Sequence, residues 1–300
     1  MSHTNLKFLD EKLTQDRDYW LQKLSGEAAL TGLPLDYPRP AEFDPRRETA
    51  NLEIAGETQR RLLQICGNNE SLVFTFLVTA LKIYLHKITG AADITVGTTI
   101  HERHREVSSL NKVLALRERV GGGLTVKELL HGVKRTVAEA YAHQKYPFDR
   151  LVDLLNAAPA DNRAPLFGAA VILENINDPA NLKHLRHDLT LSFSLAGGAL
   201  GGRIEYNPTL FKRESVELFG EQYKRVLWAA LDTPDLKVEE IELLSPEKRH
   251  ELLFDFNDTA AEYPLGQPAH RLFEQQAALR PDSAAVHHGA GTLTFAGLNS

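Results

Sequence analysis

The sequence predicts an α/β fold with helices packed on a sheet. Three observations carry that expectation. Residues 71–89 place Phe74, Leu77, Val78, Leu81 and Leu85 at three- and four-residue spacing, the period of a helix. The β-branched run Ile94-Thr95-Val96, then Thr98-Thr99-Ile100, follows at once and reads as a buried strand. Residues 188–195 put Leu189, Leu191, Phe193 and Leu195 on one face, the period of a strand. A helix feeding directly into a buried strand suits layered α/β packing.

Taken in order, residues 10–24 read as a helix carrying Leu13, Tyr19, Trp20, Leu21 and Leu24, stopped at Gly26. Residues 32–47 contain Pro34, Pro38, Pro40 and Pro45. Proline forces its predecessor into extended backbone, so this segment is a strap laid over a surface. A strand over 49–54 and a helix over 57–66 follow. Gly90 ends the 71–89 helix. Thr125 and Glu128 form a capping box that opens a helix running to about 143. Pro147 starts another, with Phe148, Leu151, Val152, Leu154 and Leu155 on its buried side. Residues 168–174 read as a second buried strand. The Gly-rich turn 196–202 joins 188–195 to 203–206 as a hairpin, and a helix covers 214–231. The expected sheet therefore uses strands near 51, 95, 170, 190 and 204.

After Pro234 the composition shifts. Ser245-Pro246 starts a short helix to about Phe256. Pro264, Gly266 and Pro268 mark a linker. A helix over 269–279 stops at Pro281, and Thr292 to Phe295 is strand-like.

Three hundred residues suggest two domains, or one large domain with an appendage. The charge balance, 34 − 40 = −6, argues against nucleic-acid or anionic-membrane partners. The single cysteine, Cys66, excludes an internal disulfide and favours a cytoplasmic location. No basic segment followed by an apolar run opens the sequence. Leu72–Ile88 is interrupted by Thr75, Thr79, Lys82, His86 and Lys87. It reads as a buried amphipathic helix, too short and polar for a membrane span.

The chemical motifs are weak. Gly121–Gly123 and the 196–202 cluster lack the lysine and the context of a phosphate cradle and read as turns. His101-Glu102-Arg103-His104 is one residue short of a zinc-protease helix, which needs its histidines four apart. His184, His187 and Asp188 read as a solvated loop, and His287-His288 as a strand end entering a turn. There is no Gly-x-Ser-x-Gly nucleophile elbow, and Cys66 reads as packing.

Tyr19-Trp20, then Leu33-Pro34-Leu35-Asp36-Tyr37-Pro38-Arg39-Pro40 and Asp93-Ile94-Thr95-Val96-Gly97-Thr98, resemble a condensation domain of a nonribosomal peptide synthetase. The resemblance is strongest at Ala142-His143-Gln144-Lys145-Tyr146-Pro147-Phe148-Asp149-Arg150-Leu151, similar to the family's His-Gln-x-x-Pro-Phe motif. Arg163-Ala164-Pro165-Leu166-Phe167 is similar to its Ser-Arg-x-Pro-Leu motif. Beyond Ser245, Asn257-Asp258-Thr259-Ala260, Tyr263-Pro264, Leu272-Phe273-Glu274 and Pro281-Asp282 resemble the linker and entry of an adenylation domain. Leu293–Leu298 resembles that domain's first core motif.

The resemblance implies a chloramphenicol-acetyltransferase-like C-terminal lobe with helices on a mixed sheet. It implies a partial condensation domain over 1–244, a linker over 245–268 and a truncated adenylation start over 269–300. The family's catalytic His-His-x-x-x-Asp-Gly motif belongs to a first lobe that the match does not reach. The stretch 109–117 stands where Gly-x-Phe-Val-Asn-Thr is expected and looks degraded; with its charged neighbours, the 101–119 region is expected to face water. No catalytic, cofactor or metal residue is therefore assigned. His143, Gln144, Pro147, Phe148, Arg163, Pro165 and Leu166 are expected to be structural. Tyr19, Trp20, Leu24, Phe256, Tyr263 and Phe273 are candidate domain-interface residues, with residues 10–24 docked on the lobe. The implied role is a non-catalytic platform heading an initiating module of an antibiotic-type synthetase. The alternatives are a condensation enzyme taking its first lobe from another chain, and a small-molecule-binding domain. The implied partners are the adenylation domain, a carrier domain or an MbtH-like helper. ATP, magnesium and phosphopantetheine belong to the full synthetase and not to this stretch.

Overall fold

A computed structural model describes residues 3–26, 31–67, 69–101, 111–157, 161–260, 266–289 and 291–300. Two compact units divide the chain between Leu244 and Ser245.

The first unit runs α1 (His3–Leu24), β1 (Glu48–Asn51), α2 (Gly56–Cys66), α3 (Glu70–Thr89), β2 (Asp93–Thr99), β3 (Val113–Arg119), α4 (Val126–Ala142), α5 (Phe148–Leu154), β4 (Ala169–Leu173), β5 (Leu189–Ala196), β6 (Ala199–Tyr206) and α6 (Arg213–Asp232). Helix α1 begins earlier than the apolar spacing predicts. Strand β1 is shorter than 49–54; beyond it Leu52 donates to the Gly202 carbonyl of β6 at 3.0 Å and Ile54 bridges Leu200.

Asn69 caps α3 by accepting the Leu72 N–H, and Gly90 closes it at φ 70°, a left-handed conformation that costs glycine nothing. Every residue from Val73 to Leu85 is buried, so α3 is a core helix rather than an amphipathic one. It is long and apolar enough to cross a membrane by length and composition, contrary to the expectation from its polar interruptions. Those interruptions are absorbed internally: Thr75, Thr79 and Thr89 bond back to the preceding turn, and Lys82 reaches into the sheet.

The six-stranded mixed sheet has the order β1-β6-β5-β4-β2-β3. Strands β2, β4 and β5 are parallel neighbours; the remaining pairs are antiparallel. One face packs on α3 and α6. There Phe193 of β5 stacks on Tyr223 of α6 at 6.0 Å, and the Tyr223 hydroxyl donates to the Leu77 carbonyl of α3 at 3.0 Å. The register sets Gly97, Ala170 and Thr190 in one row on the opposite face.

Strand β3 corrects the sequence reading. The sheet has a sixth strand in the region expected to face water. Val113, Leu114, Ala115 and Leu116 are buried, and Arg117 and Glu118 after them are partnered, while Arg119 is exposed. Arg117 donates from Nε to Asp93 of β2 at 2.9 Å and from Nη1 to the Ser25 carbonyl at 2.6 Å; Glu118 accepts from Thr136 of α4 at 2.5 Å. Of the charges that suggested a solvated surface, Arg117 and Glu118 are cross-strand and cross-layer ties. Glu102, Arg103, Arg105 and Glu106 lie outside the described residues.

The proline-rich strap is pinned along its length, with its far end held by Asn207, which donates to the Asp44 carbonyl at 3.1 Å. Asp36 caps α6 from far away in sequence, accepting the Lys212 N–H at 2.8 Å and the Ser215 hydroxyl at 2.9 Å. Arg39 donates to the buried Asp188 at 2.8 Å. The expected capping box is present, with Thr125 and Glu128 each satisfying the other's backbone N–H.

The second unit holds α7 (Pro246–Leu253), α8 (Ala269–Leu279), β7 (Ala284–His288), β8 (Gly291–Thr294) and α9 (Phe295–Asn299). Ser245 caps α7, accepting the Lys248 N–H at 3.0 Å. Strands β7 and β8 form an antiparallel hairpin, and His287-His288 ends its first strand as the spacing suggested. Leu279, Val286, Leu293 and Leu298 are exposed.

Candidate functional site

The two family-like motifs meet around the C-terminal end of α4. His143 closes that helix, and three of its groups are engaged. Its ring Nδ1 lies 2.8 Å from Asp16 Oδ1; because the carboxylate accepts, Nδ1 carries the proton. Its ring stacks on Tyr19 at 4.2 Å and 15° between planes. Its carbonyl accepts from Trp20 Nε1 at 2.8 Å. Asp16, Trp20 and Leu24 are buried, and Lys12 also reaches Asp16, at 3.1 Å. The helix spacing brings these groups together: positions 12, 16, 19, 20 and 23 share one face of α1. Lys23 extends the line, donating to Thr136 at 2.7 Å. The Tyr19 hydroxyl donates to Glu139 at 3.4 Å, and burial with that carboxylate pushes its pKa well above the usual tyrosine value.

Gln144 joins two segments that are separate in sequence. Its side-chain oxygen accepts the His101 N–H at 2.7 Å, just past β2. Its backbone carbonyl accepts from Asn111 Nδ2 at 3.0 Å, just before β3. Asn111 Oδ1 then accepts the Phe148 N–H at 3.1 Å, which ties the start of α5 to the same point. Asn177 braces β2 from the other side, donating to the Thr99 carbonyl at 3.0 Å and to Tyr141 Oη at 3.1 Å.

Phe148 and Phe167 connect the motifs, with ring centroids 6.0 Å apart. The Phe167 ring lies against Gly97 of β2: a Cβ there would come within 2.1 Å of the ring. Leu166 holds φ at 69°, a left-handed conformation worth about 1–2 kcal/mol of strain for a residue with a Cβ. The turn it makes after Pro165 delivers Phe167 to that seat. Arg163 pairs with Asp161, two residues before it. Phe256 is exposed in the second unit, and Phe273 packs there on Phe295 at 5.6 Å. Tyr263 lies outside the described residues.

Among the described residues, no three His, Cys, Asp or Glu side chains are grouped to hold a metal ion. The loop reading of His187 and Asp188 needs correction, because both are buried. His187 Nε2 lies 2.6 Å from the Thr190 hydroxyl, and burial, reinforced by Arg47, pushes its pKa down to about 4. It is a neutral core histidine. Burial pushes the Cys66 thiol up to about 12, which leaves no thiolate at neutral pH.

Sequence reasoning missed Asp16, Gly97 and Asn111. For Asp16 a signal existed, since it lies four residues before Trp20 on the same helical face. Asn111 fell in the stretch read as degraded.

The chain matches the condensation-domain family over residues 5–253. It is 31% identical to bacitracin synthase 1 of Bacillus licheniformis, with 96% of this chain and 6% of that protein aligned. Gramicidin S synthase 2 of Aneurinibacillus migulanus is 33% identical, with 94% of this chain and 7% of that protein aligned. Among solved structures, a four-domain nonribosomal peptide synthetase bound to AMP and glycine superposes with a TM-score of 0.74 at 19% identity. That alignment covers 94% of this chain and 24% of the other. The X-domain from teicoplanin biosynthesis gives 0.66 at 20% identity, covering 80% and 60%. The chain thus spans a small part of the synthases it matches and somewhat over half of that single-domain structure.

Proposed function

The chain belongs to the condensation-domain family of nonribosomal peptide synthetases, and from that premise we propose that residues 1–244 are a non-catalytic lobe serving as a platform for an adenylation domain that residues 269–300 begin. The observation that carries this reading is the state of His143. A general base must come within about 2.6–3.2 Å of the amine it deprotonates. The one histidine in a family-like motif is built into the contact with α1 through its Nδ1–H, ring face and carbonyl, so only its Nε2 lone pair is left for such a role. Gln144 and Phe148 are likewise spent on holding strand ends together.

The second unit supports the other half of the reading. A lone two-stranded hairpin is marginal in water. This one leaves Val286 and Leu293 exposed, which suits the opening of a larger sheet. ATP and magnesium would belong to that larger domain. A carrier domain or an MbtH-like helper would be further partners of the assembled synthetase, in the cytoplasm.

The rival reading is an amide-forming condensation enzyme whose first lobe comes from elsewhere. The partial coverage of solved condensation-type domains favours it as the alternative. The test is mass-spectrometric detection of condensed product after incubation with aminoacyl-loaded donor and acceptor carrier proteins. No product above the protein-free background is expected. Product that disappears in His143→Ala overturns the platform reading, and product that requires an added first lobe establishes the rival.

A further inference from the structure

Lys82 is the one described lysine with no exposed surface. It projects from the middle of α3 into the sheet. Its Nζ donates to the carbonyl of Ile94 in β2 at 2.8 Å and to the carbonyl of Leu116 in β3 at 2.6 Å. These carbonyls precede Thr95 and Arg117, which face each other across the two strands. One amine therefore spans the last strand pair of the sheet, from inside the core.

Counting donors gives this arrangement a direction. A neutral amine has two N–H bonds, and two carbonyls receive them. An ammonium has three, and the third meets no described acceptor in a site closed to water, a costly state for a charged donor. We propose that Lys82 is a proton-operated latch on strand β3: the neutral amine fastens β3 to β2, and protonation loosens that edge of the sheet.

The charged surroundings do not neutralise the effect. From β3 come Glu118 and Arg117, from β2 Asp93, and from α1 Lys23. Asp93 is taken up by Arg117. Glu118 accepts from Thr136, and on α4 Glu139 is shared between Tyr19 and Lys23. Desolvation dominates, bringing the Lys82 amine from an ordinary 10.5 down to about 7, with the Glu118 carboxylate opposing and Lys23 reinforcing it. A folded-state pKa below the open-state value means the open form binds more protons between the two. The closed form is then favoured progressively as pH rises from about 7, and the advantage is fully lost below about 7. The elements fastened by this latch are the same ones that Gln144 ties at the end of β2 and the start of β3, so loosening β3 is felt at that junction.

The test is amide hydrogen exchange of β3 in the full 300-residue chain, corrected for the intrinsic pH dependence, beside Lys82→Met. The latch requires β3 protection to fall by about tenfold per pH unit between about pH 9 and about pH 7 and then level off. Lys82→Met should show no such slope. Equal profiles in the two proteins overturn the proposal. Should Lys82→Met fail to fold, the Lys82 side-chain resonance in the unaltered protein decides: titration near 7 supports the latch, and an ammonium persisting above about pH 10 refutes it.

Discussion

Gly97→Ala is expected to destabilise the first unit by about 3 kcal/mol or more, the upper range for overpacking a core. The added Cβ would sit 2.1, 2.4 and 2.5 Å from three atoms of the Phe167 ring. That ring has little room to retreat. It is fully buried, it packs on Phe148, and it hangs from a backbone already in a left-handed turn at Leu166. Relief must come from β2, which is paired on both sides in the sheet, or from the turn, which carries strain already. Chemical denaturation should show a lower midpoint with an unchanged slope. Gly201→Ala is the control, since its Cβ would meet Ser194 Oγ at an ordinary 3.4 Å. Equal effects at the two glycines would mean that the Phe167 contact does not govern the cost. Adding Phe167→Leu to Gly97→Ala should recover part of the loss, because the smaller side chain vacates the seat.

Trp20→Ala is expected to cost about 3–5 kcal/mol, the range for emptying a buried tryptophan site. Trp20 is 2% exposed and spends its indole N–H on the His143 carbonyl. Its loss leaves a cavity beneath α1 and a carbonyl without its partner. The remaining polar ties, from Lys12, Asp16 and Lys23, are spread along the same face and do not fill that volume. Helix α1 should therefore loosen before the sheet does. Limited proteolysis should cut at Arg17 and Lys23 well below the melting temperature, while β4–β6 stay protected. A loss under about 1 kcal/mol with α1 still resistant would show that the polar line alone holds the helix.

These two sites also mark how far the sequence could be read. Helix α3, the capping box at Thr125 and the β5–β6 hairpin were legible because their signals are local: spacing, a cap pair, an alternation around glycines. Strand β3 was not. Val113–Leu116 is buried on both faces and lacks alternation, and Arg117 and Glu118 look like surface charge until Asp93 and Thr136 are brought against them by the fold. The same limit hid Asp16, whose burial depends on a histidine 127 positions away. The motif residues were recognisable as a pattern, but not their partners: nothing local shows that Gln144 will meet both His101 and Asn111. Lys82 was legible only as an interruption in an apolar helix, because its acceptors are backbone carbonyls that no residue type announces.

The claim that the family-like histidine fastens α1 to the end of α4 is tested most directly by a double-mutant cycle between Asp16 and His143. Unfolding free energies would be measured for the unaltered chain, Asp16→Ala, His143→Ala and the double variant. A hydrogen bond between an imidazole and a buried carboxylate at 2.8 Å predicts a coupling energy of about 1.5–3 kcal/mol. A coupling near zero, with both single variants as stable as the parent, would contradict the account, because the pair would then fasten nothing.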